Sequence, residues 1–284
     1  MSSRGYLFTI SVILFVSTLV FYSQQYVNNN SFREQGIIFS SKLINQPFLN
    51  DDIGTDLQKI LGFAIRTDYN SDLNLLVSGV VPRGFGVSTA IVDYNSFLYR
   101  TFFERTSGVK SIDLSSLADG KAELSVGSIL SYDFDYSNSS AIIYPKNGAS
   151  LNSLDINIDA SASDLNRFEW VNPVSGPSGT IPVRINYTDD VNSFSVSTSV
   201  NSSVLNKLAI VYQGDENAYI IVGQIGGVNS SVDINANSLR SFNYSIFASY
   251  SPSSYPNNLP IFFDSILAYS GNGFDSNSLI KISG

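Results

Sequence analysis

The residues of this sequence best suited to chemistry are carboxylates, and the most regular group of them lies in the stretch LDINIDA. Asp155, Asn157 and Asp159 alternate there with apolar residues. On a β-strand this spacing places all three oxygen-bearing side chains on one face, where they could attract calcium. At roughly 3.4 Å per residue the group spans more than about 10 Å, too far for three ligands of one ion. We therefore expect the polar face of a half-buried strand and no metal site.

Two further acidic pairs occur, Asp133 with Asp135 in YDFDYSN and Asp189 with Asp190 in YTDDVN. Neither has the Asp-x-Asp-x-Asp-Gly order of a calcium-binding loop. Two carboxylates that a fold brings together can act as acid and base in glycan hydrolysis. A glycan hydrolase that uses paired carboxylates is therefore one function that the sequence leaves open.

The composition removes most other enzyme chemistry. The 284-residue chain has no cysteine and no histidine, which excludes disulfides, thiolate or imidazole metal ligands, cysteine nucleophiles and histidine-based triads. We assign no catalytic residue and no cofactor, and we expect a protein that is not an enzyme. The net charge of -8 provides no basic face for a phosphate backbone, so nucleic acid is not an expected partner.

The N-terminal stretch MSSRGYLFTISVILFVSTLVFYSQQ determines where the rest of the chain lies. No charged residue occurs from Tyr6 to Tyr22, and a helix of this length nearly crosses a hydrocarbon core of roughly 30 Å. We predict a transmembrane anchor over residues 1–27, with the lipid membrane as its partner. The alternatives are a cleaved signal peptide, for which a small-x-small cleavage site is missing, and a buried helix, for which a polar face is missing.

The charges beside this segment predict its orientation. Arg4 and the terminal amine favour a cytoplasmic N-terminus, so we expect a single-pass protein of the cell membrane with the bulk of the chain extracytoplasmic. Six Asn-x-Ser/Thr sequons then fall on the external side, where they are possible glycosylation sites. They are Asn29, Asn138, Asn186, Asn201, Asn229 and Asn243.

The junction before the apolar run carries a resemblance to a known family. Arg4-Gly5 followed directly by YLFTISVILFV resembles the processing site of archaeal type IV pilin-like proteins. The resemblance covers about the first 25 residues and implies a cut between Gly5 and Tyr6, which makes the apolar stretch the start of the mature subunit. Ile10 stands at the fifth position after that cut, where the pattern of bacterial pilins has glutamate. The resemblance implies self-assembly, or assembly with other envelope proteins.

Helical periodicity follows the anchor. NDDIGTDLQKILGF places four aliphatic side chains on one face, with Asn50 or Asp51 as its cap and Gly62 as its end. A further helix is expected in YNSFLYRTFFERTSG, residues 94–108, with Phe97 among the side chains that face inward.

From about residue 109 the period of the apolar residues changes to two, which predicts strands. SIDLSSL and AELSVG are expected to pair as a hairpin around Asp119-Gly120. Ten similar stretches follow, separated by turn clusters rich in Gly, Asn, Ser and Pro. They are SILSYDFDY, AIIYP, SLDINIDA, RFEWVN, TIPVRINYT, SFSVSTSV, LAIVYQG, AYIIVGQI, SFNYSIFASY and IFFDSILAY.

These elements predict an α+β chain that is mostly β, in which an N-terminal transmembrane helix and short helices precede an antiparallel β-sandwich ectodomain. Asn147-Gly148 marks the expected boundary between a membrane-proximal α+β domain, residues 28–148, and an all-β sandwich domain, residues 149–284. The expected function is that of a membrane-anchored cell-surface protein in adhesion, envelope structure or a type IV pilus-like assembly. The alternative is an anchored extracellular glycan hydrolase.

Overall fold

The computed structural model describes residues 49–81, 87–103, 109–136, 138–161, 164–171, 180–214, 217–237, 242–253, 259–271 and 274–282. Nearly all of them belong to one compact unit, Asn50–Gly284. The described chain is mostly β, with few helices and two sheets, as the alternation of apolar residues predicts. The predicted anchor, the Arg4-Gly5 junction and Asn29 lie outside the described residues.

The smaller sheet contains six strands in the order β1-β2-β14-β7-β9-β10. Its strands are β1 (Ala64–Tyr69), β2 (Leu73–Val81), β7 (Ser150–Ala160), β9 (Thr180–Thr188), β10 (Ser193–Asn201) and β14 (Phe242–Ser251). All of these neighbours are antiparallel except β7 and β9, which run parallel. The parallel pair arises because the chain leaves the smaller sheet after β7 and returns to it at β9.

The larger sheet contains ten strands, nine of them in the order β16-β15-β4-β5-β6-β13-β12-β11-β8, with β3 beside β15. All of its recorded pairs are antiparallel. Its strands are β3 (Val109–Asp113), β4 (Lys121–Val126), β5 (Leu130–Asp135), β6 (Ser140–Pro145), β8 (Leu165–Trp170), β11 (Leu205–Tyr212), β12 (Asn217–Ile225), β13 (Val228–Asn237), β15 (Ile261–Gly271) and β16 (Phe274–Ile282).

The inner faces of the two sheets meet in a shared core. The hydroxyls of Tyr132 on β5 and Tyr244 on β14 lie 2.6 Å apart in a fully buried hydrogen bond between the sheets. At the other end of the core, the ring of Tyr187 on β9 packs against Phe168 on β8, with centroids 5.4 Å apart. The hydroxyls of Tyr187 and Tyr212 on β11 lie 3.3 Å apart in a further contact between the sheets. The strands therefore form a β-sandwich with aromatic contacts along its interior.

Strands from both sides of residue 148 enter both sheets. The smaller sheet pairs β2 with β14, and the larger sheet pairs β6 with β13 and β4 with β15. The expected boundary at Asn147-Gly148 is instead a tight turn between β6 and β7, with both residues at positive φ. This boundary therefore does not divide the fold, because the hydrogen-bonded ladders cross it.

Helix α1, over residues 49–61, confirms the predicted apolar face. Ile53, Leu57 and Leu61 are buried, and Gly62 follows the helix at positive φ. Asn50 and Asp51 both lie inside the helix, so the prediction that one of them caps it is wrong. The Asn50 side chain has another role. It donates to the Leu279 carbonyl and accepts from the backbone N–H of Lys281, tying α1 to strand β16.

Helix α2 differs from the expected segment because it spans Val87–Leu98 and continues as a π-turn over Tyr99–Phe103. Its buried residues are Ile91 and Leu98, whereas Phe97 is 53% exposed. The prediction that Phe97 faces inward is wrong. The helix begins at Val87, seven residues before Tyr94, and its buried face contains Ile91 and Leu98. Phe97 lies outside that face. The helix contacts α1 through a hydrogen bond of the Tyr94 hydroxyl to Asp56.

The hairpin expected around Asp119-Gly120 does not form. Ser115–Ala118 is a short helix, α3, and the Asp113 carboxylate holds its start by accepting from the backbone N–H and hydroxyl of Ser115. β3 and β4 do not pair with each other. Both pair with β15, which is long enough to pair with β4 along its first residues and with β3 further along.

No helix among the described residues has the length and apolar character needed to cross a membrane.

Candidate functional site on the outer face of the larger sheet

The outer face of the larger sheet carries a cross-strand row of side chains that includes three carboxylates. Because side chains alternate along a strand, residues that are opposite one another in register share a face. Reading the register across six neighbouring strands gives one continuous row. Its members are Glu123, Asp133, Ile142, Asp233, Ile221 and Lys207. We call these residues the acidic row.

Asp233 is the most buried carboxylate of the row, with 7% of its surface exposed. Its one recorded protein partner is the Ser140 hydroxyl, which donates over 2.9 Å. Burial removes water from the carboxylate and raises its pKa from 3.8 to about 6, and the Ser140 hydrogen bond offsets only part of this rise. Asp233 therefore holds a proton at a pH where ordinary carboxyl groups are ionised.

The end of the row on β4 and β5 has two carboxylates, and a lysine outside the row lies beside them. Glu123 and Asp133 are directly opposite each other on β4 and β5. Burial and the nearby charges of Asp133 and Asp264 raise the pKa of Glu123, while the Lys146 ammonium, 3.8 Å away, opposes this rise. The Asp133 carboxylate accepts from the Ser131 hydroxyl over 2.6 Å. This end is therefore negative, with one exposed cation beside it.

Two tyrosines flank the row. Burial, followed by the charges of Asp133 and Asp233, raises the pKa of Tyr144. Burial and the charge of Asp233 raise the pKa of Tyr219 as well. The Lys207 ammonium lies 4.3 Å from the centre of the Tyr219 ring, within the range of a cation–π contact. The surface therefore presents carboxylate acceptors beside neutral aromatic hydroxyls, a combination suited to polar ligands.

The spacing of the carboxylates limits the chemistry of the row. Asp133 and Asp233 lie two strand spacings apart, roughly 9.5 Å measured between backbones, close to the separation used by inverting glycosidases. Ile142 stands between them in the same row, where such an enzyme holds its attacking water. Among the described residues, no group of three or more acidic side chains is placed to hold a metal ion.

The acidic residues predicted from LDINIDA lie on the outer face of the smaller sheet, as expected, away from the acidic row. The Asp155 carboxylate accepts from Nε and Nη2 of Arg184 at 3.0 and 3.2 Å. Asn157 accepts from the side-chain amide of Asn186 at 2.7 Å. Asp159 is exposed and lies opposite Asn243 in the ladder. The prediction of an ordinary polar face is confirmed.

Of the other predicted acidic residues, Asp189 and Asp190 lie in a turn, Asp135 ends strand β5 and Asp133 lies within that strand. Burial opposes ionisation of Asp189, but hydrogen bonds from Asn192, Val191 and Tyr187 outweigh it and lower the pKa of this carboxyl. Asp189 thereby closes the β9–β10 turn, while Asp190 is exposed. Asp135 accepts from the backbone and side chain of Asn138 in the β5–β6 turn. The fold therefore brings only Asp133 of these four residues into the acidic row.

The described sequons differ in exposure. Asn138, Asn229 and Asn243 are exposed. Asn186 is half-buried on β9 and its amide is held by Asn157. The Asn201 side chain is half-buried and accepts from the backbone N–H of Ser203. Exposure therefore favours the first three as positions that could carry a glycan.

Sequence reasoning missed Asp233 and Glu123. Strand β13 contains the stretch VDINAN, in which Val232, Ile234 and Ala236 alternate with polar residues just as the apolar residues of LDINIDA do. This alternation was the available signal for the strand. The burial of Asp233 has no such signal, because it depends on which strands lie beside β13.

No protein-family model, no curated protein and no solved structure matches this chain.

Proposed function

We propose that this chain is a membrane-anchored cell-surface protein that presents its β-sandwich outside the cell for adhesion, envelope structure or a type IV pilus-like assembly. The observation that carries the proposal is the uncharged run from Tyr6 to Tyr22 directly after Arg4-Gly5. Residues 1–27 form the anchor, with the N-terminus cytoplasmic. The lipid membrane is the first partner, and envelope proteins or further copies of the chain are the others.

The folded unit supports this proposal in two ways. Its outer faces carry Ser, Asn and charged side chains, many of which hydrogen-bond to one another, as suits a domain surrounded by water. Its exposed sequons at Asn138, Asn229 and Asn243 lie in the part of the chain that the proposal places outside the cell.

The anchor can be tested by alkaline carbonate extraction of membranes from cells that produce the full chain. We expect the chain to stay with the membrane pellet. The double variant Val12→Arg/Phe15→Arg should move to the supernatant, because each arginine costs about 2.5–3.5 kcal/mol at the centre of a membrane helix. The matched control Asn28→Arg/Asn30→Arg, beyond the run, should remain in the pellet. Extraction of the unaltered chain would contradict the anchor.

The pilin-like version makes a separate prediction about processing. A prepilin-type cut after Gly5 exposes Tyr6 as the first residue, so Gly5→Leu should block both the cut and assembly into filaments. Ser3→Leu, two residues from the cut, is the control and should be processed. Filaments built from uncut Gly5→Leu chains would exclude the pilin-like version and leave the anchor itself unaffected.

Glycan hydrolysis is the second candidate function, because burial raises the pKa of Asp233 to about 6 and Asp133 lies two strand spacings away in the same row, with Ile142 between them. The test is release of reducing ends from a panel of polysaccharides by the full chain. Loss of that activity in both Asp133→Asn and Asp233→Asn, with activity retained in Asp155→Asn, would support it. Inactivity of the unaltered chain on the whole panel would remove it.

A further inference from the structure

Five described strands have a neighbour on one side only, and they differ in charge. They are β1 and β10 in the smaller sheet and β3, β8 and β16 in the larger sheet. An edge strand carries unpaired backbone groups, and proteins protect such edges from other strands with charged side chains, bulges or short lengths. Four of these strands contain charged residues, and β10 contains none. The charged residues are Arg66 and Asp68 on β1, Lys110 and Asp113 on β3, Arg167 and Glu169 on β8, and Asp275 and Lys281 on β16.

β10 also lacks the other protections. It pairs with β9 over nine residues without a register shift. The pairings of β3, β8 and β16 each contain a register shift, and β1 is only six residues long. β10 has no proline, and its Ser, Thr, Val and Phe residues include strong strand formers. It is therefore a long, regular and uncharged edge.

The turn before β10 determines which backbone groups point away from the sheet. The N–H of Asp189 donates to the carbonyl of Asn192 over 2.8 Å, so the backbone of Asn192 faces β9. Backbone groups alternate in direction along an antiparallel strand. The N–H and C=O groups of Ser193, Ser195, Ser197 and Ser199 therefore point outward, and no described strand lies on that side.

The inner face of β10 is incompletely covered. Phe194, Val196 and Thr198 point to the sandwich interior but are only half-buried. On the neighbouring strand β9, Val183 and Ile185 are fully buried. One more strand beside β10 would cover these side chains as β10 covers those of β9.

We propose that β10 pairs with β10 of a second copy of this chain, antiparallel and with Ser197 opposite Ser197 of that copy. This register pairs Ser195 with Ser199 across the two-fold axis and uses the outward backbone groups of both strands. The lack of charge on β10 suits pairing with a copy of itself. Across a two-fold axis every residue of β10 faces a residue of the same strand, and like charges directly opposite one another are destabilising, so a strand without charged residues avoids this cost. The net charge of -8 opposes contact of two copies elsewhere on their surfaces.

This inference names a partner for the proposed function, namely a second copy of the chain. It rests on the proposed function in one respect: anchoring in a membrane concentrates the copies that pair. The contact itself needs only the folded unit. A pairing of this kind joins the smaller sheets of two copies into one continuous sheet across the dimer.

The absence of cysteine from the chain makes the pairing testable by disulfide formation. Full chains with Ser197→Cys, in their native membranes, are exposed to a mild oxidant and separated on a non-reducing gel. The proposed register brings the two thiols within disulfide reach, so dimer should form about tenfold faster than in the control Asn166→Cys, an exposed position on the charged edge β8. Equal rates for the two variants would overturn the proposal.

A second pair of variants tests the register. Ser195→Cys and Ser199→Cys should each form little dimer alone and should cross-link readily when co-produced in the same cells. If only the single variants cross-link with themselves, the antiparallel register centred on Ser197 is wrong.

Membrane extraction of the same samples separates this inference from the proposed function. Chains that cross-link through Ser197→Cys but are extracted by carbonate would retain the β10 contact and exclude the anchor. Chains that resist extraction and do not cross-link would retain the anchor and exclude the contact.

Discussion

The outer faces of the two sheets hold their polar residues in different ways. On the smaller sheet, carboxylate and amide groups find partners on the next strand, as Asp155 does with Arg184 and Asn157 with Asn186. On the larger sheet, Glu123 faces another carboxylate across the strands and Asp233 is buried with a serine hydroxyl as its recorded partner. The smaller sheet is thus locally neutralised, whereas the larger sheet keeps negative charge that burial makes unfavourable.

This difference shows that alternation alone does not determine the energetics of a polar face. The stretches LDINID on β7 and VDINAN on β13 have nearly the same pattern. Their aspartates differ because Asp155 has an arginine beside it, while Asp233 lies between Ile142 and Ile221 in its row. The neighbouring strands therefore decide whether a carboxylate is a satisfied surface group or a group with a raised pKa.

Three substitutions test this comparison, and Asp233→Asn should change the free energy of unfolding the most. The folded pKa of about 6 lies above the ordinary 3.8, so the folded protein binds the extra proton between these values. The free energy of unfolding should therefore fall as pH rises from about 4 to 6, by about 3 kcal/mol. Asparagine cannot ionise and still accepts from Ser140, so the variant should be more stable at pH 7 and lack this decline.

The measurement is urea unfolding of the full chain in detergent between pH 4 and 8, with Asp155→Asn as the control. Because Asp155 is salt-bridged on the surface, its replacement should leave the decline between pH 4 and 6 in place. If the free energy of unfolding of Asp233→Asn still fell by the same amount between pH 4 and 6, Asp233 would not be the cause of the decline. The proposed difference between the acidic row and the smaller sheet would then be wrong.

The second largest change in the free energy of unfolding is expected from the hydrogen bond between the two sheets. Tyr132→Phe removes the hydrogen bond to Tyr244 and leaves that hydroxyl in a dry interior, so unfolding should become easier by about 1–3 kcal/mol. The double variant Tyr132→Phe/Tyr244→Phe removes both polar groups and should be less destabilised than the sum of the single variants. Strict additivity in the double-mutant cycle would mean that the two hydroxyls do not interact.

The smallest change is expected for Arg184→Ala, because both partners of its ion pair are exposed. The variant should unfold at slightly lower urea concentration in dilute buffer, and the difference should disappear in about 1 M NaCl, where the screening length falls to roughly 3 Å. Thr188→Ala, an exposed residue of the same strand outside the pair, is the control. A difference that persists in high salt would indicate packing by the arginine stem instead of charge.

Much of the sandwich could be predicted from the sequence where polar and apolar residues alternate strictly. TIPVRINYT corresponds to β9 from its first residue to its last, and SFSVSTSV to β10 without its final asparagine. β2, in LNLLVSGVV, was missed because its apolar residues do not alternate, and its exposed Leu76 belongs to the outer face. The hairpin at Asp119-Gly120 was wrong because β15, far along the chain, pairs with both of its expected strands.

The candidate site was less predictable than the strands. The sequence identifies Asp133 as a carboxylate on a strand, but only the register places it in a row with Asp233, one hundred residues further along the chain. The uncharged character of β10 is visible in SFSVSTSVN. Its position at an edge depends on the order of all six strands of the smaller sheet. Local pattern therefore predicts the elements, and long-range pairing determines the surfaces.

The most direct test of the proposed function is the intact mass of the chain, with N-terminal sequencing, after extraction from the membranes of the cells that make it. The proposal predicts that the apolar run is still attached, with Tyr6 as the first residue if a prepilin-type peptidase acts after Gly5, or Met1 or Ser2 if the anchor is fixed. A membrane-free chain that begins beyond Gln25 would contradict the proposal, because the apolar run would then be a removed signal and not an anchor.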